Sequence, residues 1–196
     1  MSKWDELLKR GLNGEKLVRE WLKLRGFYVL PISLIENGGA PALEGHLKRI
    51  IASNGLVAHA GETFWAEIKT YQRATLNQQR QRWEHGVTIR LWDQYIEGQR
   101  ITGIPGCLFI LQLNERLILE GKLDDITIGS VKTSGKHHPP SGPQIFFDVR
   151  RFNGYDLDTL EFKQLSNLFP EDLPPKTIRP WETGKKFPEV RQPPLF

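Results

Sequence analysis

The sequence predicts one α/β domain built on a mixed sheet and followed by a proline-rich extension. Helical periodicity near the N-terminus gives way to apolar segments of strand length, an order typical of a sheet flanked by helices. The segment "CLFILQL" (107–113) is a continuous apolar run, as expected for a strand buried on both faces. From residue 170 onward prolines recur and apolar periodicity is lost, so we expect an α/β domain over 1–169 and a tail over 170–196.

The composition indicates a folded globular protein. Of the 196 residues, 39% are hydrophobic and 26% are charged, proportions that exclude a disordered chain. The single cysteine, Cys107, cannot form an internal disulfide, which favours a reducing, cytoplasmic setting. No apolar run is long enough to span a membrane, so we expect no membrane partner. The net charge of +4 permits a polyanionic partner without requiring one.

The N-terminal segment, residues 3–25, is predicted to be helical. Its apolar residues recur at three- and four-residue steps and form one stripe. Glycine costs about 1 kcal/mol inside a helix, so Asn13-Gly14 marks a point where the helix can divide. Gly26 stands in the position that a C-cap prefers, and the helix is therefore expected to end there.

The next part of the chain is predicted to contain strands and then helices. The segment 27–32 is rich in aromatic and β-branched residues, which predicts a strand, and 36–49 has the glycine and proline of a loop. Residues 50–60 and 62–69 flank a short turn and are expected to pair as a β-hairpin. Residues 76–103 are predicted to be mostly helical.

Beyond the apolar strand at 107–113, the sequence predicts a mixture of strands and one short helix. Residues 116–123, 125–132 and 144–150 have the composition of strands. Residues 157–169 carry a helical apolar pattern and are expected to form the last helix of the domain.

A charged pair interrupts the second strand of the predicted hairpin. In "AEIKT" (66–70), Glu67 and Lys69 are two residues apart and therefore point to the same face of the strand. The pair is either a solvated ion pair or half of an active site. A divalent-metal phosphodiesterase needs a second oxygen ligand from an adjacent strand and commonly a further acid from a helix. Glu15, in the predicted first helix, is a candidate for that acid.

These residues resemble the PD-(D/E)XK nuclease superfamily. The segment "GLNGEKLVREWLKLRGFYVLPI" (11–32) is similar to its first helix and strand, with Glu15 as the helix acid, and "AEIKT" is similar to its E-x-K element. The resemblance covers residues 11–115. It implies a restriction-endonuclease-like fold and Mg²⁺- or Mn²⁺-dependent hydrolysis of DNA.

The chain departs from the superfamily pattern at one position. Where the pattern has an aspartate on the first hairpin strand, this chain has Asn54, and no aspartate lies between Asp5 and Asp93. Glu44 is the best substitute if its loop folds inward. Loss of one unit charge a few Å from a cation costs on the order of 4 kcal/mol at an effective dielectric near 20, which corresponds to roughly a thousandfold lower metal affinity.

The resemblance also implies roles for individual residues. Glu67, the Ile68 carbonyl and Asn54 would ligate the metal, Lys69 would assist water attack or stabilise charge, and Glu15 would support the site. Two basic clusters fit phosphate contacts, although solvated surfaces explain them equally well. The candidate DNA-binding residues are Lys48, Arg49, Arg73, Arg80 and Arg82.

Two alternatives to an active nuclease stay open. The missing aspartate favours a catalytically silent protein that keeps the nuclease fold and binds DNA or a protein partner. An unrelated α/β protein, in which the charged pair is structural, would bind neither metal nor DNA. The sequence also leaves open whether the chain forms a homodimer.

Overall fold

The central feature of the fold is a seven-stranded mixed sheet. The structure, a computed structural model, describes residues 3–32, 42–44, 49–133 and 142–170, with side chains from residue 11 onward. The strand order of the sheet is β1-β4-β5-β8-β9-β12-β13. Strands β5 and β8 are parallel and the other neighbours are antiparallel. The predicted α/β class with a mixed central sheet flanked by helices is therefore confirmed.

The elements have the following bounds in chain order. They are α1 Lys3–Leu24, β1 Tyr28–Pro31, β2 Ala42–Glu44, β3 Arg49–Ile51, β4 Gly55–His59, β5 Glu62–Tyr71, β6 Thr75–Asn77, β7 Arg82–Thr88, α2 Ile89–Thr102, β8 Gly106–Gln112, β9 Leu117–Lys122, α3 Leu123–Thr127, β10 Val131–Lys132, β11 Gln144–Asp148, a 3₁₀ turn at Val149–Arg151, β12 Asn153–Asp156, β13 Phe162–Lys163 and α4 Leu165–Leu168.

The sheet is covered on both faces by apolar layers. Helix α1 packs on one face, where Val18 and Trp21 meet Ile68 and Phe109. Helix α2 packs on the other face together with a second, four-stranded sheet of order β10-β11-β7-β6. All seven residues of β8 are buried, so the strand predicted from its apolar run is confirmed. None of the described helices is both long and apolar enough to cross a membrane.

Helix α1 runs through Asn13-Gly14 without a break, contrary to the expected division. The reason lies in its packing against β5. A Cβ atom at Gly14 would lie 1.8 Å from Thr70 Oγ1 and 2.9 Å from Thr70 Cβ. Glycine is therefore needed for the close approach of helix to strand, and tertiary packing outweighs its low helix propensity.

The prediction of helix over residues 76–88 is wrong. These residues form the antiparallel pair β6–β7, with a turn over 78–81 in which Gln81 has φ +49°. Glutamine and arginine favour helix locally, but residues 84–88 of β7 pair with β11, more than fifty residues later. A distant pairing partner of this kind leaves no local signal. The helical prediction over 89–102 is confirmed as α2.

Two predictions in the C-terminal half are also wrong. Residues 125–132 contain the end of helix α3 and only two strand residues. Residues 157–169 contain β13 and the one-turn helix α4 where one longer helix was expected. Asp156 Oδ1 accepts hydrogen bonds from the backbone N–H groups of Asp158 and Thr159, which forms a turn and prevents a helix from starting there. The predicted tail beyond residue 170 lies outside the described residues.

The first strand of the predicted hairpin is divided in a way that matters for the site. Residues 49–51 pair with β2, and only 55–59 pair with β5. The Ile51 N–H donates to Gln94 Oε1 on α2 at 2.7 Å, which holds β3 away from the central sheet. The β4–β5 ladder ends at the Gly55–Ala66 pair. Strand β5 continues beyond this point to Tyr71.

Candidate active site

Glu67 and Lys69 form an ion pair in the interior part of the sheet. Lys69 Nζ lies 2.6 Å from Glu67 Oε1, and the Glu67 side chain is only 5% exposed. The Lys69 side chain is 28% exposed, so the pair is not a solvated surface ion pair. The Tyr95 hydroxyl of helix α2 donates to the same Glu67 oxygen at 2.6 Å. The buried carboxylate is thus compensated by one cation and one neutral donor.

The charge state of Lys69 follows from this pairing. Burial alone lowers the pKa of a lysine, but the adjacent Glu67 carboxylate outweighs burial and raises the pKa of Lys69 above its ordinary value. Lys69 is therefore a protonated ammonium at neutral pH. In this arrangement it can donate hydrogen bonds and stabilise negative charge, but it cannot accept a proton.

Asn54 connects helix α1 to strand β5. It lies in the short connection between β3 and β4, directly before Gly55. Its Oδ1 accepts a hydrogen bond from the Ile68 N–H at 2.8 Å, and its Nδ2 donates to Glu15 Oε1 at 3.1 Å. In a strand the N–H and C=O of one residue point to the same side, so the Ile68 carbonyl faces the edge that β4 has left.

Glu15 completes the group from helix α1. Arg19 Nη1 lies 3.3 Å from Glu15 Oε2. Burial raises the pKa of Glu15; the Arg19 guanidinium opposes this, and the Glu67 carboxylate adds to it. The close packing at Gly14 sets the depth of this helical turn against β5. The structure therefore brings Glu15, Asn54, Glu67 and Lys69 together around one segment of β5.

Glu44 does not replace the missing aspartate. Its carboxylate pairs with Arg49 Nε at 3.7 Å in the β2–β3 hairpin, and its side chain is 77% exposed. The hairpin packs near Gly98 of α2 through Leu43 and Ile50 and does not fold into the site. The sequence expectation for Glu44 is corrected accordingly.

A cavity of about 420 Å³ adjoins Lys69. It lies between the end of β5 and the second sheet. Its lining includes Arg73, Gly86, Gln144 and Phe146 in addition to Lys69. Sequence reasoning missed this cavity and also Tyr95, because both depend on contacts between distant segments. The only signal for Tyr95 was its place, with Trp92 and Gly98, on the buried stripe of α2.

The basic candidates have different surroundings. Arg80 and Arg82 both donate to the buried carboxylate of Glu84, so both guanidinium groups form ion pairs within the second sheet. Arg49 pairs with Glu44. Arg73 is exposed at the cavity and makes no ion pair with any residue that the structure describes. Lys48 lies outside the described residues.

The oxygen atoms of this site are too few to enclose a metal ion with protein ligands alone. They match a Mg²⁺ ion that is held partly by water and substrate. Within the described ranges no cluster of three His, Cys, Asp or Glu side chains could hold a metal ion. Asn54 Oδ1 does accept from the N–H of Ile68, the residue next to Glu67, and the Ile68 carbonyl faces the same edge. Mg²⁺ in enzymes is commonly held by one or two carboxylates together with waters and a substrate phosphate. The donor set fits that mode of binding.

Comparison with known proteins gives similarity at the level of structure. No protein-family model matches the chain, and no curated protein matches it. The chain is similar to the solved structure of Hjc, a Holliday junction resolvase from the archaeal hyperthermophile Archaeoglobus fulgidus, with a TM-score of 0.45 and 9% identity. The similarity covers 70% of this chain and 88% of that chain, and at this identity it concerns the course of the backbone alone.

Proposed function

We propose that this protein hydrolyses phosphodiester bonds in DNA and uses Mg²⁺ or Mn²⁺ as a cofactor. The observation that carries the proposal is the bridge formed by Asn54. Its amide joins Glu15 of α1 to the Ile68 backbone, directly beside the Glu67–Lys69 pair. A carboxylate, a lysine and a helix acid grouped where two strands separate supply a metal ligand, a cation that stabilises negative charge, and a supporting acid for metal-dependent phosphodiester hydrolysis.

Lys69 is assigned the role of stabilising negative charge. Its pKa is raised by Glu67, so it stays protonated and cannot serve as the base that activates water. An ammonium aimed at the phosphate would instead stabilise the charge that develops on the phosphoryl oxygens in the transition state. Of the two roles that the sequence left open for Lys69, the proposal takes charge stabilisation.

Glu67, the Ile68 carbonyl and Asn54 Oδ1 are the residues that would hold the cation. Bound there, it would polarise the phosphate and lower the pKa of a water molecule. Tyr95 holds the Glu67 carboxylate in place through its hydroxyl. Glu15 orients Asn54, because it accepts the hydrogen bond from Asn54 Nδ2 and so turns Oδ1 towards β5.

A plasmid-nicking assay tests the proposal. Wild type is expected to nick supercoiled DNA with Mn²⁺ or Mg²⁺ and to stop in EDTA. Glu67→Gln and Lys69→Met should each lower the rate by about a hundredfold or more, the size of effect seen when one group that stabilises a transition state is removed. Glu62→Gln, an exposed position on the same strand, is the matched control and should retain activity. Nicking that survives Glu67→Gln would exclude this site as its source.

A catalytically silent DNA-binding protein is the second candidate, and one observation favours it. The Asn54 amide nitrogen faces Glu15, so a neutral donor stands where the PD-(D/E)XK pattern has an acid. If Asn54→Asp nicks DNA and wild type only binds it, the silent protein is the correct description. If wild type nicks DNA in a Glu67-dependent manner, this candidate is rejected.

A further inference from the structure

The cavity beside Lys69 has features of a binding pocket for a flat, aromatic ligand. Its volume of about 420 Å³ is within the range of small-molecule sites. Phe146 on β11 is directly opposite Gly86 on β7. A Cβ atom at Gly86 would lie 2.8 Å from Phe146 Cε1 and 2.7 Å from Gln144 Oε1. The absence of a side chain at this position therefore lets the phenyl ring and the amide lie across the strand.

The wall at Gly86 is held rigidly. The Tyr71 hydroxyl donates to the Gly86 carbonyl at 2.6 Å, which ties the end of β5 to the second sheet. The guanidinium of Arg80 lies over the Phe146 ring, 5.4 Å from its centroid. Both contacts hold parts of the cavity wall in place. A ligand that enters would therefore meet preformed groups.

The polar groups of the cavity match a nucleotide. The Gln144 amide carries a donor and an acceptor side by side, the pattern that recognises the edge of a base. Arg73 is exposed at the cavity and is available for a phosphate. Lys69, the residue assigned to the scissile phosphate, lines the same cavity. A base that enters the cavity would thus belong to a nucleotide next to the bond that is cut.

We infer that the cavity binds one unpaired base of the DNA strand that is cleaved, so that the protein prefers DNA with an unpaired nucleotide over a fully paired duplex. The inference rests on the proposed function and adds its substrate class. A base stacked within a duplex cannot reach a pocket in the protein unless it is turned out of the helix, and that step costs least where the base is already unpaired. Phe146 and Gln144 line the cavity, where the ring can contact the base and the amide can hydrogen-bond to it.

Equilibrium binding measured by fluorescence anisotropy tests the inference. The probes are three fluorescein-labelled duplexes of equal length, one fully paired, one with a single extra adenosine, and one with an abasic residue in place of that adenosine. EDTA prevents metal-dependent hydrolysis. The full-length protein is expected to bind the adenosine bulge about tenfold tighter than either of the other duplexes, which corresponds to about 1.4 kcal/mol.

Variants show whether the preference arises in the cavity. Phe146→Leu and Gln144→Ala should each lower the ratio of the affinities for the bulged and the fully paired duplex towards one. Phe146→Tyr should keep the wild-type ratio. Phe162→Leu, an exposed position on β13, is the matched control and should behave like wild type. Equal affinity of wild type for all three duplexes overturns the inference, and so does a preference that persists in both cavity variants.

The same experiment separates this inference from the proposed function. Equal binding to all duplexes, together with Glu67-dependent nicking of plasmid, overturns the inference and leaves the nuclease function intact. Failure to bind any of the duplexes overturns the inference, and the nicking assay alone then decides the nuclease function. A base-dependent preference without nicking supports the cavity as a base pocket and rejects catalysis.

Discussion

Asn54 Nδ2 donates a hydrogen bond to Glu15 Oε1 at 3.1 Å, and this contact joins the first helix to the candidate active site. An aspartate in the same place would bring two carboxylates together. Asparagine instead gives an attractive contact that needs no cation. The position that departs from the PD-(D/E)XK pattern is therefore also the position that links helix α1 to strand β5.

Asn54→Asp is expected to make stability dependent on metal. Without a cation, the new carboxylate loses the bond to Glu15 and repels it, and stability should fall by about 1–3 kcal/mol. Mn²⁺ should restore part of this loss, because a cation that binds only the folded state stabilises it. Thermal unfolding in EDTA and in Mn²⁺ measures both effects. Asn153→Asp, an exposed position, is the control and should show no metal dependence; an equal Mn²⁺ response in wild type would contradict the prediction.

Tyr95→Phe is expected to destabilise the protein through Glu67. The hydroxyl donates to a buried carboxylate, and loss of a hydrogen bond to a charged group costs about 1.5–3 kcal/mol. The free energy of unfolding should decrease even without substrate, and urea unfolding measures this decrease. Tyr28→Phe removes a hydroxyl from a side chain that is 80% exposed and should change stability little. Equal unfolding midpoints for the two variants would show that the Tyr95–Glu67 bond contributes nothing.

Gly14→Ala and Gly11→Ala are expected to have opposite effects. At Gly14 the new methyl group would meet both Thr70 Oγ1 and Thr70 Cβ, so rotation of the threonine cannot relieve the contact. Overpacking of this kind typically costs about 1–3 kcal/mol. At Gly11 a Cβ would have no neighbour within 4 Å, and replacing glycine within a helix should stabilise the protein by about 1 kcal/mol.

The double variant Gly14→Ala/Thr70→Ala tests the cause of the Gly14 effect. Removal of Thr70 Oγ1 should recover a measurable part of the lost stability, giving a coupling energy between the two positions. Chemical unfolding of the two single variants and the double variant supplies that energy. Strict additivity would mean that Thr70 is not what requires glycine at this position.

His85 is expected to make the protein less stable in acid. Burial lowers the pKa of His85 to about 3, whereas an unfolded histidine titrates near 6.5. Between these values the unfolded state binds more protons, so stability falls as pH decreases from about 6.5 towards 3. The slope from this one residue is at most about 1.4 kcal/mol per pH unit.

Comparison of two histidine variants isolates this contribution. Urea unfolding of wild type and His85→Gln between pH 7 and pH 4 should show a shallower loss of stability in the variant. His59→Gln, at an exposed histidine, should follow the wild-type curve. Parallel curves for wild type and His85→Gln would mean that His85 does not stay neutral in the folded protein.

Local patterns in the sequence were enough to predict the α/β class, helix α1, the buried strand β8 and the shared face of Glu67 and Lys69. The helix and the shared face depend on periodicities of 3.6 and 2 residues, β8 on a continuous apolar run, and the class on the order of these elements. Helix periodicity placed Glu15 on α1 in the same way. Such patterns depend only on neighbouring residues, so they can be recognised without the tertiary structure.

The tertiary structure alone decided which distant residues meet. Strand β7 was predicted to be helical from its local composition. The prediction failed because its partner strand β11 follows more than fifty residues later. The turn of the Asn54 amide towards Glu15, the bond from Tyr95 to Glu67 and the cavity at Gly86 likewise arise from contacts between separate elements. Burial and pairing across the fold outweigh local propensity at these positions, and the geometry of the candidate site is composed of such contacts.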